Sequence, residues 1–283
     1  MIDSFSIHII GLGLMGGSLA MALRGKGQRL TAEDINPAVL HQATASGVID
    51  GIGEAHDADI VVLAVPADII PDQLPTLDLK PGTLVIDLGS TKTRICNALD
   101  DLPEGVLAVG GHPMCGLAEN GYANATGKLY QGARFVLCET DRTTSEARTR
   151  AEALVQACGA EPLWMERERH DHLTALASHL PHLLSFALMS LAMEEAAQDA
   201  ALFELAAGGF DGATRLARTD AAMIVGMFGT NADELRAVTE SLRDHLDRLE
   251  QLLDDLPRLY DELDVIVAAR RSYTAQYGER LIT

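Results

Sequence analysis

The chain has 283 residues, 47% of them hydrophobic, and a formal net charge of −19 at pH 7. This composition predicts a folded, globular protein with room for one large or two medium domains, and it excludes disorder as the default. The excess of acidic side chains argues against a surface that binds nucleic acid or an anionic membrane.

The N-terminal segment predicts a nucleotide-binding unit. An apolar strand over residues 6–10 runs directly into Gly11-Leu12-Gly13-Leu14-Met15-Gly16, and an alanine- and leucine-rich helix follows. Gly11 suits a tight turn, and Gly13 allows the close approach of a pyrophosphate. Gly16 allows the helix to pack against the strand. Because amides at a helix N-terminus bind pyrophosphate, we expect the whole run from 11 to 16 to line a cofactor site.

Asp34 closes a second predicted strand, from which a carboxylate can reach a ribose. It can accept hydrogen bonds from both ribose hydroxyls of NAD, and it would repel the 2′-phosphate of NADP unless an arginine offset it. The residues that follow, Ile35-Asn36-Pro37, include no arginine. The sequence therefore favours NAD over NADP.

Further strands are predicted over residues 59–65, 83–88, 106–109, 134–139 and 161–165, separated by helices or loops. This alternation is typical of an α/β, doubly wound parallel sheet, in which ligands bind beyond the carboxyl ends of the strands. Three segments should therefore converge on the cofactor. They are Val65-Pro66-Ala67, the turn Gly89-Ser90-Thr91-Lys92, and the glycine-rich loop Gly110-Gly111-His112-Pro113.

From about residue 168 the strand pattern stops, and the rest of the chain reads as helix with breaks at Pro181, at Pro257 and at several glycines. We expect a dinucleotide-binding domain over 1–167 and an all-helical domain over 168–283. Leucines recur at alternating steps of four and three, as in a coiled-coil seam, at Leu242, Leu246, Leu249, Leu253 and Leu256. Such a seam packs within one domain or between two chains, and we favour a homodimer through the helical domain.

His112 is the leading candidate for a catalytic group. It lies on a predicted loop beyond a strand end, where packing makes little demand for a histidine. Its ordinary pKa lies near neutrality, so it can accept a proton from a substrate hydroxyl while hydride leaves the same carbon. The alternative is a loop histidine that bonds only to the backbone.

The helical half supplies candidate binding groups. His172, His179 and His182 are spaced to share one helix face, which suits the polar wall of a substrate pocket. No HExxH spacing accompanies them, so no metal site is predicted. Arg215, after a glycine-dense segment, either captures a substrate carboxylate or pairs with a nearby aspartate.

Cysteine spacing and the N-terminus bear on location. The four cysteines, at 96, 115, 138 and 158, show no CxxC spacing, so neither a zinc site nor a disulfide is predicted. The N-terminus lacks a charged segment followed by an apolar one, and no uninterrupted apolar run approaches 18 residues. We expect a cytoplasmic protein with no membrane partner.

Taken together, these motifs resemble those of the prephenate and arogenate dehydrogenases of tyrosine biosynthesis. The resemblance rests on the glycine run with Asp34, DLGSTK at 87–92, GGHPMCG at 110–116, His170-Asp171 followed by SHLPH at 178–182, and GGFDGATR at 208–215. These elements stand in the family's order and cover nearly the whole chain.

The resemblance implies a Rossmann-type domain, a helical dimerisation domain and an NAD-dependent oxidative decarboxylation. It implies that His112 takes the proton of the ring hydroxyl, assisted by Ser90, while hydride passes to the nicotinamide. It also implies a set of substrate-binding residues, namely Arg215, His179, His182 and His170.

Several alternatives stay open. Leu117 and Ala118 stand where many members of the family carry small or hydroxyl-bearing residues, so the substrate is prephenate, arogenate or both. Inhibition by tyrosine could act at the active site. The β-hydroxyacid dehydrogenases share the layout but use a lysine of the helical domain, and residues 166–283 contain none. A non-catalytic NAD-binding protein would be expected to lose the polar residues of the cleft, which are present.

Overall fold

The computed structural model of the protein describes residues 2–26, 29–117 and 119–278, so Ala118 lies outside the described residues. The chain divides into two compact units. The first, residues 1–232, contains a sheet and ten helices within its described part, and the second, residues 233–283, contains most of one long helix and all of another.

In the described residues, eight strands form one sheet in the order β3-β2-β1-β4-β5-β6-β7-β8. Their bounds are β1 Ser6–Ile10, β2 Arg29–Glu33, β3 Gly51–Ile52, β4 Ile60–Leu63, β5 Leu84–Asp87, β6 Leu107–Pro113, β7 Arg134–Cys138 and β8 Glu161–Trp164. Neighbouring strands run parallel, except for the antiparallel pair β6 and β7. The order reverses between β1 and β4, and this switch point is where doubly wound sheets bind ligands. The predicted fold class is confirmed, with the short strand β3 added.

The helices of the first unit are α1 Leu14–Leu23, α2 Pro37–Ala45, α3 Ile70–Gln73, α4 Thr93–Asp100, α5 Ser145–Ala157, α6 Arg167–Thr174, α7 Leu180–Ala196, α8 Ala201–Leu205, α9 Gly208–Thr214 and α10 Ala221–Thr230. Successive side chains of a strand point to opposite faces, so the sheet carries a buried cluster on each side. Val62 of β4 packs in one cluster, with residues of α1, α2 and α5. Val61 packs in the other, with residues of α3 and α4.

A π-helical turn, Ala175–His179, joins α6 to α7 into one continuous helix over 167–196. The predicted break at Pro181 is therefore wrong, because Pro181 lies in the first turn of α7, where its missing N–H is tolerated. In the described part of the chain, this helix alone is long and apolar enough, by length and composition, to cross a bilayer. It buries His170, Asp171 and His179, which hydrogen-bond within the first unit.

The predicted glycine-dense breaks are also helical in the structure. Gly208, Gly209 and Gly212 lie in α9, and Gly226 and Gly229 lie inside α10. Asp220 caps α10 by accepting a hydrogen bond from the Met223 N–H at 3.1 Å. Glycine lowers the intrinsic stability of a helix but does not forbid one, and packing within the unit outweighs that preference.

The second unit consists of α11 Ala232–Gln251 except its first residue, a 3-10 turn Leu252–Asp254, and α12 Leu256–Tyr277. The predicted leucine seam is interrupted between Leu249 and Leu256, because α11 ends at Gln251 and α12 begins at Leu256. The helix break predicted at Pro257 thus falls a few residues earlier. Asp255 accepts a hydrogen bond from the Arg258 N–H, and Pro257 stands in the first turn of α12, so a new helix begins there. An ion pair between Arg248 and Glu262 joins the two helices.

Candidate active site

The glycine run connects β1 to α1 at the switch point of the sheet. Gly11 has a φ of +94°, and a Cβ atom there would lie 2.7 Å from the Ala64 carbonyl oxygen, so the turn requires glycine. A Cβ atom on Gly16 would lie 1.9 Å from the Gly11 carbonyl oxygen, which shows how closely the helix approaches the strand. A Cβ atom on Gly13 would meet nothing within 4 Å. The open space thus lies at the residue where close approach of a pyrophosphate is predicted.

The other residues of the run are divided between core and surface. Leu12 and Leu14 are buried in the core, so only their backbone can face a cofactor, whereas Met15 is partly exposed. Gly13 forms the N-cap of α1 and has no side chain to occupy the first amides of the helix. These amides and the helix dipole suit an anionic group.

Asp34, directly after β2, holds the glycine turn. Its Oδ2 accepts a hydrogen bond from the Leu12 N–H at 2.6 Å, and its Oδ1 accepts one from the Asn36 N–H at 2.7 Å. A carboxylate offers about four acceptor positions, so two are left for ribose hydroxyls. On the other side of the turn, Val65 Cγ1 would lie 3.1 Å from a Cβ atom on Gly11, and the partly exposed Val65 is followed by the exposed Pro66. The predicted cofactor residues therefore meet at one place.

His112 lies in a strand, and the prediction that it lies on a loop is wrong. β6 pairs with β5 up to Val109 and continues as the antiparallel partner of β7, in which His112 stands opposite Val136. The two glycines before it serve close packing, not loop flexibility. A Cβ atom on Gly110 would lie 2.5 Å from Cys96 Sγ, and one on Gly111 would lie 2.3 Å from the Asp87 carbonyl oxygen.

A buried ion pair fixes the backbone beside both predicted catalytic residues. Asp87 accepts hydrogen bonds from the Gly111 N–H at 2.9 Å and from the Gly89 N–H at 2.8 Å, which are the residues directly before His112 and Ser90. Lys92 Nζ donates to the Asp87 carboxylate and to the Gly111 carbonyl oxygen. Both side chains of the pair are fully buried. One carboxylate thus holds the chain segments of Ser90 and His112 together.

A chain of hydrogen bonds runs from Asp171 through His170 to His112. His170 Nδ1 lies 2.8 Å from Asp171 Oδ1, and His170 Nε2 lies 2.8 Å from His112 Nδ1. Asp171 also accepts hydrogen bonds from the backbone N–H groups of Lys92 at 2.7 Å and Thr93 at 2.8 Å. Both ring nitrogens of His170 are engaged by protein groups, so the structure places it behind His112.

These contacts assign a proton to each nitrogen of the chain. Burial alone would raise the pKa of Asp171, but hydrogen bonds from His170, Thr93 and Lys92 outweigh it and lower that pKa, so the carboxylate is ionised and only accepts. His170 Nδ1 must then carry a proton, and when the His170 ring is neutral its Nε2 accepts a hydrogen bond from His112 Nδ1. The lone pair of His112 is left on Nε2, where a general base needs it.

The electrostatics of the site keep this base unprotonated. Burial, with smaller contributions from His170, Lys92 and His179, holds the pKa of His112 well below its usual value. A neutral imidazole near pH 7 can accept a proton, which an imidazolium cannot. The arrangement is therefore competent for proton abstraction from a hydroxyl.

His179 and His182 lie on the next part of the same continuous helix. His179 is fully buried at the end of the π-helical turn, and burial lowers its pKa to about 4. His182 is partly exposed, and its Nδ1 donates to the Ser178 carbonyl oxygen at 2.9 Å, which leaves Nε2 as an acceptor. His172 is exposed, so the prediction that it shares a face with His179 is wrong. The wider π-helical turn between them changes the phase of the helix.

Arg215 begins a 3-10 turn, Arg215–Arg218, that follows α9, and it is partly exposed. The Ala217 N–H donates to Ser185 Oγ at 3.1 Å, which fixes this turn against α7, the helix that carries His182. Among the histidines, a hydrogen bond joins His112 directly to His170, whereas His179 is linked to this pair through Asn231 and Asp171.

Sequence reasoning assigned no role to four buried polar residues of the site. Asp87 and Lys92 lie within the DLGSTK motif, which was the only signal that marked them, and Asp171 follows His170 directly. Asn231, whose side chain contacts His179, carried no signal at all. Most of their partners lie between 5 and 79 positions away, which sequence spacing does not show.

Comparison with known proteins places this geometry in a family. Residues 19–163 match the model of the prephenate dehydrogenase nucleotide-binding domain, and residues 166–264 match that of the prephenate dehydrogenase dimerization domain. A prephenate dehydrogenase of Lactococcus lactis is 33% identical over 254 residues, which cover 86% of this chain and 70% of the relative.

Solved structures agree with this match. The prephenate dehydrogenase of Aquifex aeolicus in complex with hydroxyphenyl propionate and NAD+ is 28% identical and superposes with a TM-score of 0.87, over 95% of this chain and 98% of that one. A Synechocystis arogenate dehydrogenase, also 28% identical, gives a TM-score of 0.82 over 95% of this chain and 99% of that one. The chain belongs to the prephenate dehydrogenase family, a family of oxidoreductases with a nucleotide-binding domain and a dimerization domain.

Proposed function

We propose that the protein catalyses the NAD-dependent oxidative decarboxylation of prephenate to 4-hydroxyphenylpyruvate in tyrosine biosynthesis. The observation that carries this proposal is the hydrogen-bonded chain from Asp171 to His112, which leaves a neutral base at the carboxyl end of β6. The nucleotide cradle at Gly11–Gly16 lies at the switch point of the same sheet.

The proposed mechanism assigns each side chain one task. His112 Nε2 takes the proton of the ring hydroxyl, and Ser90, on the turn after β5, assists by hydrogen bonding. NAD, when bound, supplies the hydride acceptor. The positive charge that develops on His112 is stabilised through His170 by the carboxylate of Asp171. Loss of the ring carboxylate as CO2 then restores the aromatic ring.

The substrate is held by groups on the helical side. We propose that Arg215 pairs with a substrate carboxylate, because a guanidinium binds a carboxylate in bidentate geometry. His179 and His182 line the pocket around the ring and side chain. His170, with both nitrogens engaged, orients His112 and does not contact the substrate.

Asp34 favours NAD over NADP in this proposal. Its two remaining acceptor positions suit the hydroxyls of the adenine ribose, and its negative charge opposes a 2′-phosphate. Leu12, Gly13, Leu14, Met15 and Gly16 would contribute mainly backbone, together with Val65 and Pro66 from the loop after β4.

The assembly proposed is a cytoplasmic homodimer joined through the helical region, with the domain boundary at 167/168. The match to a dimerization domain over 166–264 supports it. α12 also exposes large apolar side chains, among them Tyr260 and Val265, each 70% exposed. Exposed apolar surface of this kind marks an interaction site.

Arogenate dehydrogenase is the second candidate function, favoured by the likeness to the Synechocystis enzyme. The experiment follows NAD reduction by absorbance at about 340 nm with prephenate in one cuvette and arogenate in another. Faster reduction with prephenate is expected, and the reverse preference would establish the second candidate. The same assay with NADP tests the role of Asp34, and added L-tyrosine tests inhibition. No reduction with either substrate would overturn the proposed function.

A further inference from the structure

A buried ring nitrogen of the site has no hydrogen-bond partner among the residues that the structure describes. His179 Nε2 makes no hydrogen bond to any described residue, although the side chain is 0% exposed. Native proteins rarely leave a buried polar atom unpaired, so such an atom in a candidate active site points to a bound ligand. Whether Nε2 donates or accepts decides which ligand atom it can bind.

The contacts of Asn231 decide this question. Asn231 is 95% buried as the residue that ends α10, and its Nδ2 lies 2.8 Å from the Asp171 carbonyl oxygen and 3.2 Å from His179 Nδ1. A backbone carbonyl only accepts hydrogen bonds, so the atom that faces it must be the amide nitrogen and not the amide oxygen. That nitrogen also donates to His179 Nδ1, which must then carry a lone pair.

The proton of the neutral ring is therefore on Nε2. His179 stays neutral near pH 7 because burial lowers its pKa to about 4, with Asp171 opposing and His182 and His170 adding to the shift. The ring also lies at the end of a π-helical turn, a rare element that is frequent at functional sites. A neutral N–H group in this position pairs with an oxygen acceptor.

We propose that Asn231 is a positioning residue that fixes the tautomer of His179, so that His179 Nε2–H donates a hydrogen bond to an oxygen of the substrate. The identity of that substrate, a cyclohexadienyl acid, rests on the proposed function. The tautomer rests on the contacts of Asn231 alone. The two parts can therefore fail separately.

The tautomer is tested first, by nitrogen-15 NMR of the full-length protein labelled at histidine. The His179→Gln variant identifies the signals of His179. We expect Nδ1 to show the shift of an unprotonated nitrogen and Nε2 that of an N–H group, and we expect Asn231→Leu to mix the two tautomers. A protonated Nδ1 in the wild-type protein would overturn the inference. The wild-type spectrum alone decides the tautomer of His179, even if Asn231→Leu does not fold.

Kinetics test the contact with the substrate. Asn231→Leu, which removes the donor, and Asn231→Asp, which places an acceptor there and draws the proton to Nδ1, are each expected to raise KM for prephenate about tenfold with a smaller change in kcat. The matched control is Thr230→Val, which loses the buried hydrogen bond between Thr230 and Thr91 at 3.0 Å without touching His179.

Each outcome has a distinct meaning. If both Asn231 variants keep the KM of Thr230→Val, the positioning role is wrong. If the wild-type protein turns over neither prephenate nor arogenate, the proposed function fails, while the NMR result still decides the tautomer. If both the tautomer and the rise in KM are found, the inference stands.

Discussion

A histidine that is buried among other bases stays neutral at pH values at which an exposed one is protonated. The pKa of His112 is lowered chiefly by burial and further by His170, and in the proposed mechanism the unprotonated form is the active one. We therefore expect kcat/KM for prephenate to stay constant as the pH falls through about 6.5, the ordinary value for imidazole, and to decline only below it. A decline centred at or above that value would contradict the assignment. The unfolded chain takes up this proton at the higher pH, so the same shift also lowers stability as the pH falls below about 6.5.

The His112→Asn variant removes the base but keeps a polar side chain of similar size. We expect kcat to fall by about two to four decades with little change in NAD binding, measured by calorimetry, since the cofactor residues are untouched. His172→Asn is the matched control, because His172 is exposed on α6. Wild-type turnover by His112→Asn would remove His112 from the mechanism.

Asp171 acts through the tautomers of two histidines, so its replacement tests the whole chain of hydrogen bonds. In Asp171→Asn the negative charge that stabilises a protonated His112 through His170 is lost, and the amide NH2 group faces a backbone N–H donor of Lys92 or Thr93 in either orientation. By analogy with catalytic triads, we expect kcat to fall by about two to four decades while KM changes little. The control is Asp100→Asn. Asp100 lies on α4 and accepts a hydrogen bond from Arg167, which lies on α6 with Asp171, and this variant is expected to keep its activity.

At the scale of the elements, the part of β6 that carries His112 depends on close packing at Gly111. An added Cβ atom would lie 2.3 Å from the Asp87 carbonyl oxygen, so the strand would have to move. We expect Gly111→Ala to lower the free energy of unfolding by about 1–3 kcal/mol, measured by urea denaturation, and to lower kcat. Gly51→Ala is the control, since a Cβ atom on this strand glycine meets nothing within 4 Å. Equal stability of the two variants would contradict this account of β6.

The elements that could be predicted from sequence are those whose signal is local. β4 and β5 are buried on both faces and therefore appear as short apolar runs, and the glycine fingerprint keeps its turn chemistry within six residues. The strand character of His112 could not be predicted, because Gly110 and Gly111 resemble a loop until their contacts with Cys96 and Asp87 are known. The glycines of α9 also resemble a loop in the sequence, although they lie in a helix.

The candidate site shows the same division. His112 and the SHLPH histidines could be singled out because histidine on an otherwise apolar or glycine-rich background is unusual. The residues that fix their protons could not, because Asp171 acts on His112 through a contact between α6 and β6, and Asn231 acts on His179 from the end of α10. A proton position is a property of the assembled network, and no single segment of sequence contains it.

At the scale of the whole molecule, we expect two chains to associate through the helical region. Val265 lies near the middle of α12 and is 70% exposed. A buried charge at a dimer interface is costly, so Val265→Asp should shift the protein from dimer to monomer in sedimentation equilibrium. Gln42→Asp, which adds the same charge on the exposed side of α2, should leave the dimer intact. A monomeric wild-type protein would contradict the proposed assembly.

The buried pair of Asp87 and Lys92 constrains how the sequence can change over evolutionary time. Removing one partner of a buried ion pair costs about 3–5 kcal/mol, because a charge is left uncompensated, and this is a large share of the roughly 5–15 kcal/mol by which proteins are stable. Substitutions at these two positions can therefore be tolerated only together. The residues that hold the backbone of Ser90 and His112 are thus preserved by selection for folding, even in a descendant that no longer needed the reaction.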